Sequence, residues 1–310
     1  MIYRINHDSL QEITAAEISP AQLTVGYVNV AELAALSERL GFDDGTVRAC
    51  RDANTFFRSG VEVHMDYTFT ELRIMNAHEE ADDFIALYLK RQLVLVVDIS
   101  DADGSTRAKY ISAIERYPAG TASCEKVLAA FLESLLCGDH GVLERIENAL
   151  SAQEEELLGD AVGQDFNNRL LQTKKLLSRR HSYYAQLLDI ADAVCENDND
   201  IFTEERLIYV DNVSKRIARL REDTAGLKSA VEHLQDAYSS YLDSKMNSTM
   251  KIFTVLTSVF FPLTIIVGWY GMNFQYMPEF TWRWGYVYVI ALSVVTVLVL
   301  VLIGKKKKWF

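Results

Sequence analysis

Residues 251–308 read KIFTVLTSVFFPLTIIVGWYGMNFQYMPEFTWRWGYVYVIALSVVTVLVLVLIGKKKK. Two apolar runs stand in this stretch, IFTVLTSVFFPLTIIVGW at 252–269 and WGYVYVIALSVVTVLVLVLIG at 284–304, with no charge inside either. Each is long enough as a helix, at about 1.5 Å per residue, to cross a hydrocarbon core about 30 Å thick. Two buried core helices would have the same composition. The tryptophans argue for the membrane: Trp269, Trp282, Trp284 and Trp309 all fall at the ends of the runs, where an interfacial belt would put them. The connection, 271–283, is too short for a domain, so the two spans form a hairpin with both ends on one side. The lysines at 305–308 assign that side to the cytoplasm by the positive-inside rule. Pro262 inside the first run removes the helix hydrogen bond to the Ser258 carbonyl, which a neighbouring helix, water or a Thr side chain can replace.

Charge is divided unevenly. From Lys251 to Phe310 there are six Lys/Arg against one acid, Glu279, a net of +5; since the whole 310-residue chain carries −12, residues 1–250 carry −17. An acidic body repels nucleic acid phosphates and concentrates cations, so no nucleic-acid partner is expected. Cys50, Cys124, Cys137 and Cys195 show no CxxC spacing and read as reduced structural thiols. MIYRINHDSL has no apolar core of a signal peptide, so residues 1–250 are expected in the cytosol. No phosphate loop, HExxH or nucleophile–base–orienter set points to an enzyme.

Within the body, MIYRIN, QLTVGYV, the alternating VEVHMDYTFTELRI and IALYLKRQLVLVVDI predict strands, with VNVAELAALSERLGF an amphipathic helix among them. His64 lies in the alternating run and reads as a packed or surface histidine. DADGS at 101–105 has the start of a calcium loop, but no spaced acids follow, so it reads as a turn. From Pro118 the pattern is helical, over about 122–137, 139–158 and 164–196, and ENDND at 196–200 reads as a solvated turn. Thr203, followed by Glu204 and Glu205, suits a helix start. Between residue 201 and Pro262 only Gly226 interrupts good helical composition, so one helix of roughly 100 Å is expected to run from the cytosol through the first span.

That helix carries a stripe. Stepping alternately by four and three from Asp236 meets Ser240, Asp243, Asn247, Met250, Thr254, Thr257, Phe261, Thr264 and Gly268, one face of a helix in a 3.5-residue repeat. The face is mainly small and polar where an ordinary seam is apolar. Threonines within a span can bond back to their own helix and pack against neighbours. Here the same stripe holds two carboxylates at its cytosolic end and leads toward Asn273 at the other. If several copies surround an axis, it lines a polar pore. Hydroxyl and amide oxygens without fixed positive charge suit a hard cation held through its water shell, as magnesium would be. Asp236 and Asp243 would attract the ion at the exit, and Met250 and Phe261 would be constrictions able to close by dewetting.

The chain resembles the CorA metal ion transporters, with the Gly-Met-Asn signature as Gly271, Met272 and Asn273, flanked by Tyr270 and Phe274, then Met277, Pro278 and Glu279. The FPLT turn from Phe261 to Thr264, the two C-terminal spans and the lysine-rich end share the resemblance. It implies a homopentameric Mg²⁺ channel in membrane lipid, passing Co²⁺ and Ni²⁺ as well, with five Asn273 carboxamides binding hydrated Mg²⁺ through its waters. Asn247, Met250, Thr264 and Gly268 match pore-lining positions of the family, and Asp236 matches an acidic position near the cytosolic mouth. Relatives that carry Zn²⁺ follow the signature with a glycine-rich loop. QYMPEF looks like the magnesium branch instead. Where relatives commonly have Met, this chain has Phe261, so its inner gate would be bulkier. Family members close when Mg²⁺ binds acids between neighbouring cytosolic domains. In YVDNV, Asn212 occupies the expected place and Asp211 would substitute, with Asp52 the nearest candidate partner in RACRDAN.

These readings give an α+β membrane protein. Residues 1–118 form a cytosolic α/β domain, 119–200 a helical hairpin or bundle, and 201–270 a stalk helix continuing into the first span. An extracytoplasmic loop at 271–283, a second span at 284–304 and a basic cytosolic tail at 305–310 complete it. A passive divalent-cation channel in a cell inner membrane leads. A proton-coupled Zn²⁺ transporter on the same scaffold and a membrane-anchored signalling or scaffold protein are the alternatives.

Overall fold

The computed structural model describes residues 1–5, 10–19, 21–52, 60–75, 82–272, 277 and 282–306, and it divides into two compact units, Met1–His233 and Leu234–Phe310.

The first unit is built on a seven-stranded sheet. Its strands are β1 (Ile2–Ile5), β2 (Leu10–Glu12), β3 (Thr24–Asn29), β4 (Val61–Val63), β5 (Tyr67–Ile74), β6 (Asp83–Lys90) and β7 (Leu93–Ser100), in the order β2-β1-β3-β7-β6-β5-β4. β3 and β7 pair in parallel, with Tyr27 opposite Val96, and every other neighbour is antiparallel. α1 (Val30–Leu40) and α2 (Asp44–Asp52) fill the crossover between β3 and β4. Asn29 starts α1 with a reciprocal capping box to Glu32, and Gly41 ends it in the left-handed region at φ 71°. Leu33 and Leu36 of α1 and Val47 and Cys50 of α2 pack with Phe69, Tyr88, Leu95 and Val97 into the core on one face of the sheet. Val94, Val96, Ile85 and Leu87 alternate with these, are equally buried, and belong to the opposite face. β6 and β7, covered on both faces, accordingly read as near-continuous apolar runs.

Two stretches expected as single strands are hairpins. VEVHMDYTFTELRI breaks between β4 and β5 at Met65 and Asp66, and IALYLKRQLVLVVDI reverses at Arg91 and Gln92, where Gln92 takes φ 60°. The second turn uses neither Gly nor Asn, so the residues that usually announce a two-residue hairpin are missing. Beyond the expected elements the structure adds β2, α2 and α3 (Ser105–Glu115).

The helical half follows the expected spans closely, as α4 (Cys124–Leu135), α5 (Asp139–Leu158) and α6 (Phe166–Glu196). Arg180 of α6 is 8% exposed and donates to Asp139 Oδ1, the first residue of α5, at 2.8 Å, with the Tyr184 hydroxyl at 3.3 Å. ENDND is more than a solvated turn. Asn197, left-handed at φ 50°, is buried, and its side-chain amide accepts from Phe202 N and donates to Phe202 O, both at 3.1 Å. Thr203 precedes a short 3-10 turn at Glu204–Arg206, and its own side chain makes no cap bond. The long helix, α7, runs Ile208–Tyr270 without a break, 63 residues or about 95 Å.

The second unit holds the rest of α7 and α8 (Gly285–Lys306). The most apolar 18-residue windows of α7 and α8 are 0% and 6% buried. Neither is enclosed by this chain as a core helix of its own domain would be, and both helices are long and apolar enough to cross a membrane. Trp269, Trp282 and Trp284 are exposed at their ends; Trp309 lies outside the described residues. Each helix nevertheless has one half-covered face. On α7 it is Val255, Ser258, Val259, Pro262, Leu263, Ile266 and Tyr270; on α8 it passes through Gly285, Val289, Ser293, Thr296, Leu300 and Gly304. The α8 face is rich in small residues, the kind that let helices in lipid approach closely.

Candidate ion pathway along α7

The polar stripe occupies a different side of α7 from its half-covered face: Thr254, Thr257 and Phe261 each stand one residue before a half-covered one, about 100° round the helix. Asp236, Ser240, Asp243, Asn247, Met250, Thr254, Thr257, Phe261, Thr264 and Gly268 are all exposed in the single chain. The spacing thus brings the ten expected pathway residues onto one uncovered face. Near the start of the stripe, Ser240, Asp243, Ser244, Asn247, Ser248 and Lys251 line a polar groove.

The hydroxyls on this face are oriented. Thr254 Oγ1 donates to Met250 O at 2.8 Å, Thr257 Oγ1 to Phe253 O at 2.8 Å and Thr264 Oγ1 to Phe260 O at 2.9 Å. The expectation that threonines in a span bond back to their own helix is met. It does not compete with a pathway role. A hydroxyl has one proton and two lone pairs; with the proton committed to the carbonyl four residues back, only acceptor capacity faces outward. The three threonines therefore offer oxygen to a cation or to the hydrogens of its water shell, and offer an anion no hydroxyl donor.

At the C-terminal end of α7, Gly271 N donates to Val267 O at 2.8 Å, which closes the last turn. A Cβ on Gly271 would stand 2.9 Å from that same carbonyl oxygen. The glycine is required by this close approach and not by a left-handed φ. Met272 follows, 44% exposed. Asn273, Phe274, Pro278 and Glu279 of the signature region lie outside the described residues, and Tyr270 and Met277 lie within them.

The two regulatory candidates are separate in character. Asp52 is exposed at the last residue of α2, where the helix dipole disfavours an anion and a cation would be welcome. Asp211 forms an ion pair one turn along α7 with Lys215 at 2.6 Å, and Asn212 beside it is exposed.

Among the described residues the acidic trio with carboxylate oxygens within 4.8 Å of one another is Asp83, Asp101 and Asp103. The sequence hid it, because Asp83 ends the β5–β6 connection while the other two belong to DADGS. Its bonding is that of a helix start. Asp103 accepts from Ser105 N at 2.8 Å, Asp101 from Arg107 N at 2.9 Å and from the Tyr27 hydroxyl at 2.7 Å, and Asp83 from Thr106 Oγ1 at 2.7 Å. The backbone bond holds the Asp103 carboxyl below the usual range, while burial, then the charge of Asp101, pushes neighbouring Asp98 up. DADGS is thus the turn it was read as, serving as the cap of α3.

Comparison with known proteins places this architecture. A family model described as CorA-like Mg2+ transporter protein matches residues 23–306. The cobalt/magnesium transport protein CorA of Thermotoga maritima is 28% identical over 265 residues, 83% of this chain and 74% of that protein. The magnesium transport protein CorA of Wolinella succinogenes is 31% identical over 185 residues, 59% of this chain and 57% of that one. In structure, the complete CorA magnesium transporter from Methanocaldococcus jannaschii superposes with a TM-score of 0.77 at 23% identity, covering 100% of this chain and 98% of that one. The ZntB cytoplasmic domain from Vibrio parahaemolyticus superposes with 0.58 at 15% identity, over 78% of this chain and 97% of that domain. With the match running through the sheet, the long helix and both apolar helices, the chain belongs to the CorA-like Mg2+ transporter family.

Proposed function

We propose that this protein is a passive channel for hydrated Mg²⁺, accepting Co²⁺ and Ni²⁺, that it works as a homopentamer, and that both termini face the cytoplasm. The observation that carries the reading is the exposed stripe of α7 with its hydroxyl protons turned away. Five such faces around an axis make a tube of acceptor oxygens. Magnesium sheds water reluctantly, so neutral oxygens that bind through the shell hold it without trapping it. In this reading Asn273 forms the outer ring and Gly271 and Met272 seat it. Tyr270, Phe274, Met277 and Pro278 brace the loop, and Glu279 draws cations in. Thr254, Thr257, Thr264, Asn247 and Gly268 line the path, Met250 and Phe261 narrow it, and Asp236 and Asp243 favour the ion at the cytosolic mouth.

Rescue of a cell deficient in magnesium uptake, repeated with Asn273→Ala, tests it. Wild type is expected to restore growth at low Mg²⁺ and the variant to lose selective uptake. Tolerance of Asn273→Ala would favour the membrane-anchored scaffold instead. Flux that follows an imposed pH gradient would replace the channel by a proton-coupled Zn²⁺ carrier, a reading that shares the scaffold.

A further inference from the structure

α4 touches the lead-in and first turns of α7 at three points. Glu125 is 4% exposed, and its Oε1 accepts from Thr203 N at 3.0 Å. Lys126 donates to Thr121 O at 2.9 Å, and its Nζ lies 5.6 Å from the Tyr117 ring centroid and 5.1 Å from that of Tyr209, on the first turn of α7. About two turns on, Glu133 accepts from Arg116 at the end of α3 and sits 3.8 Å from Arg216 of α7. On its other side α4 packs on β7 and α3, with Phe131 edge-on to Tyr110 at 5.1 Å.

A buried carboxylate is costly unless bonded, and an apolar side chain would fill the Glu125 position without that cost. Here the charge is directed at one backbone N–H of the segment that opens α7. A lysine between two rings likewise links the residues after α3 to the first turn of α7. The 197–203 connection is fixed as well, since Asn199 Nδ2 donates to His64 O at 3.0 Å and Thr68 Oγ1 at 3.2 Å, across to the β4–β5 turn.

We propose that Glu125 and Lys126 are positioning residues for transport. They latch the start of α7 to the sheet, so that movement of the α/β layer reaches the long helix without slack. This rests on the transport reading above. The test uses the full-length protein in membranes, with Glu125→Ala and Lys126→Ala, and with Glu125→Gln, which keeps an acceptor oxygen, as the rescue. Amide exchange across 203–212 is expected to rise about tenfold in the alanine variants while β5–β7 stay unchanged. Mg²⁺ uptake at equal membrane abundance is expected to change about fivefold in either direction, and Glu125→Gln to restore both readouts. Raised exchange with unaltered uptake would reduce the contacts to local packing and overturn the proposal, as would unaltered exchange. A wild type that moves no Mg²⁺ would sink the transport reading on its own, with the exchange arm still deciding whether the latch exists.

Discussion

Thr254 and Thr257 are the residues on which a chemical test of the pathway is simplest. Valine has nearly the same shape as threonine and lacks the oxygen, so Thr254→Val with Thr257→Val removes acceptors and back-bonds while leaving the helix its volume. At about 1 kcal/mol for each lost polar contact, Mg²⁺ uptake should fall on the order of tenfold or more, and the double serine variant should retain it. Uptake unaffected by the valines, measured at matched abundance, would take the threonines out of the pathway. At this scale the sequence was informative about direction and silent about detail. Alternation by four and three was enough to place these residues on one face of the helix, because helix geometry alone fixes it. Where the hydroxyl protons go, and that Gly271 is needed because Val267 O lies 2.9 Å from where its Cβ would be, depend on coordinates. Asp83 meeting Asp101 and Asp103 depends on sheet register, which no local spacing encodes.

Between elements, the Arg180–Asp139 pair fastens α6 to the first residue of α5 with both partners almost fully enclosed. Removing the cation alone strands a buried carboxylate, so Arg180→Met should cost about 3–5 kcal/mol, while Arg180→Met with Asp139→Leu should recover most of it. Thermal unfolding of the full-length protein reads this as a lowered midpoint that the second substitution restores. An equal loss in the double variant would mean that packing, not charge, is what the pair supplies. The helices themselves were legible from their periodicity and the lack of breakers after Pro118. The pairing was not, since Arg180 is one of two adjacent arginines and nothing in their order says which is enclosed. The hairpins were hidden for a related reason: β6 and β7 are apolar on both faces, so a reversal at Arg91 and Gln92 leaves no mark on the hydrophobic pattern.

Over the whole molecule, the proposed sensing of magnesium involves acids of the first unit. Asp211 would give up Lys215 for a divalent cation, with Asp52 as a candidate partner. Mg²⁺ should then protect the wild-type protein from proteolysis, and Asp211→Ala should abolish the protection; protection that persists would remove Asp211 from the account. The membrane class and the acidic body were readable from composition alone, because hydrocarbon and water select residues so differently. The number of subunits was not, since a helix face lists its own residues and not how many copies meet there. The placement of both apolar helices after residue 250 has a further consequence, for synthesis. A ribosome delivers a chain from its N-terminal side onward, at roughly 5–20 residues per second. The whole sheet, with its parallel β3–β7 pair, and α4 to α6 emerge before either of those helices does. The first unit can therefore begin to fold while the chain is still tethered to the ribosome. The −17 carried by residues 1–250 serves that interval too, as mutual repulsion between nascent chains on one message.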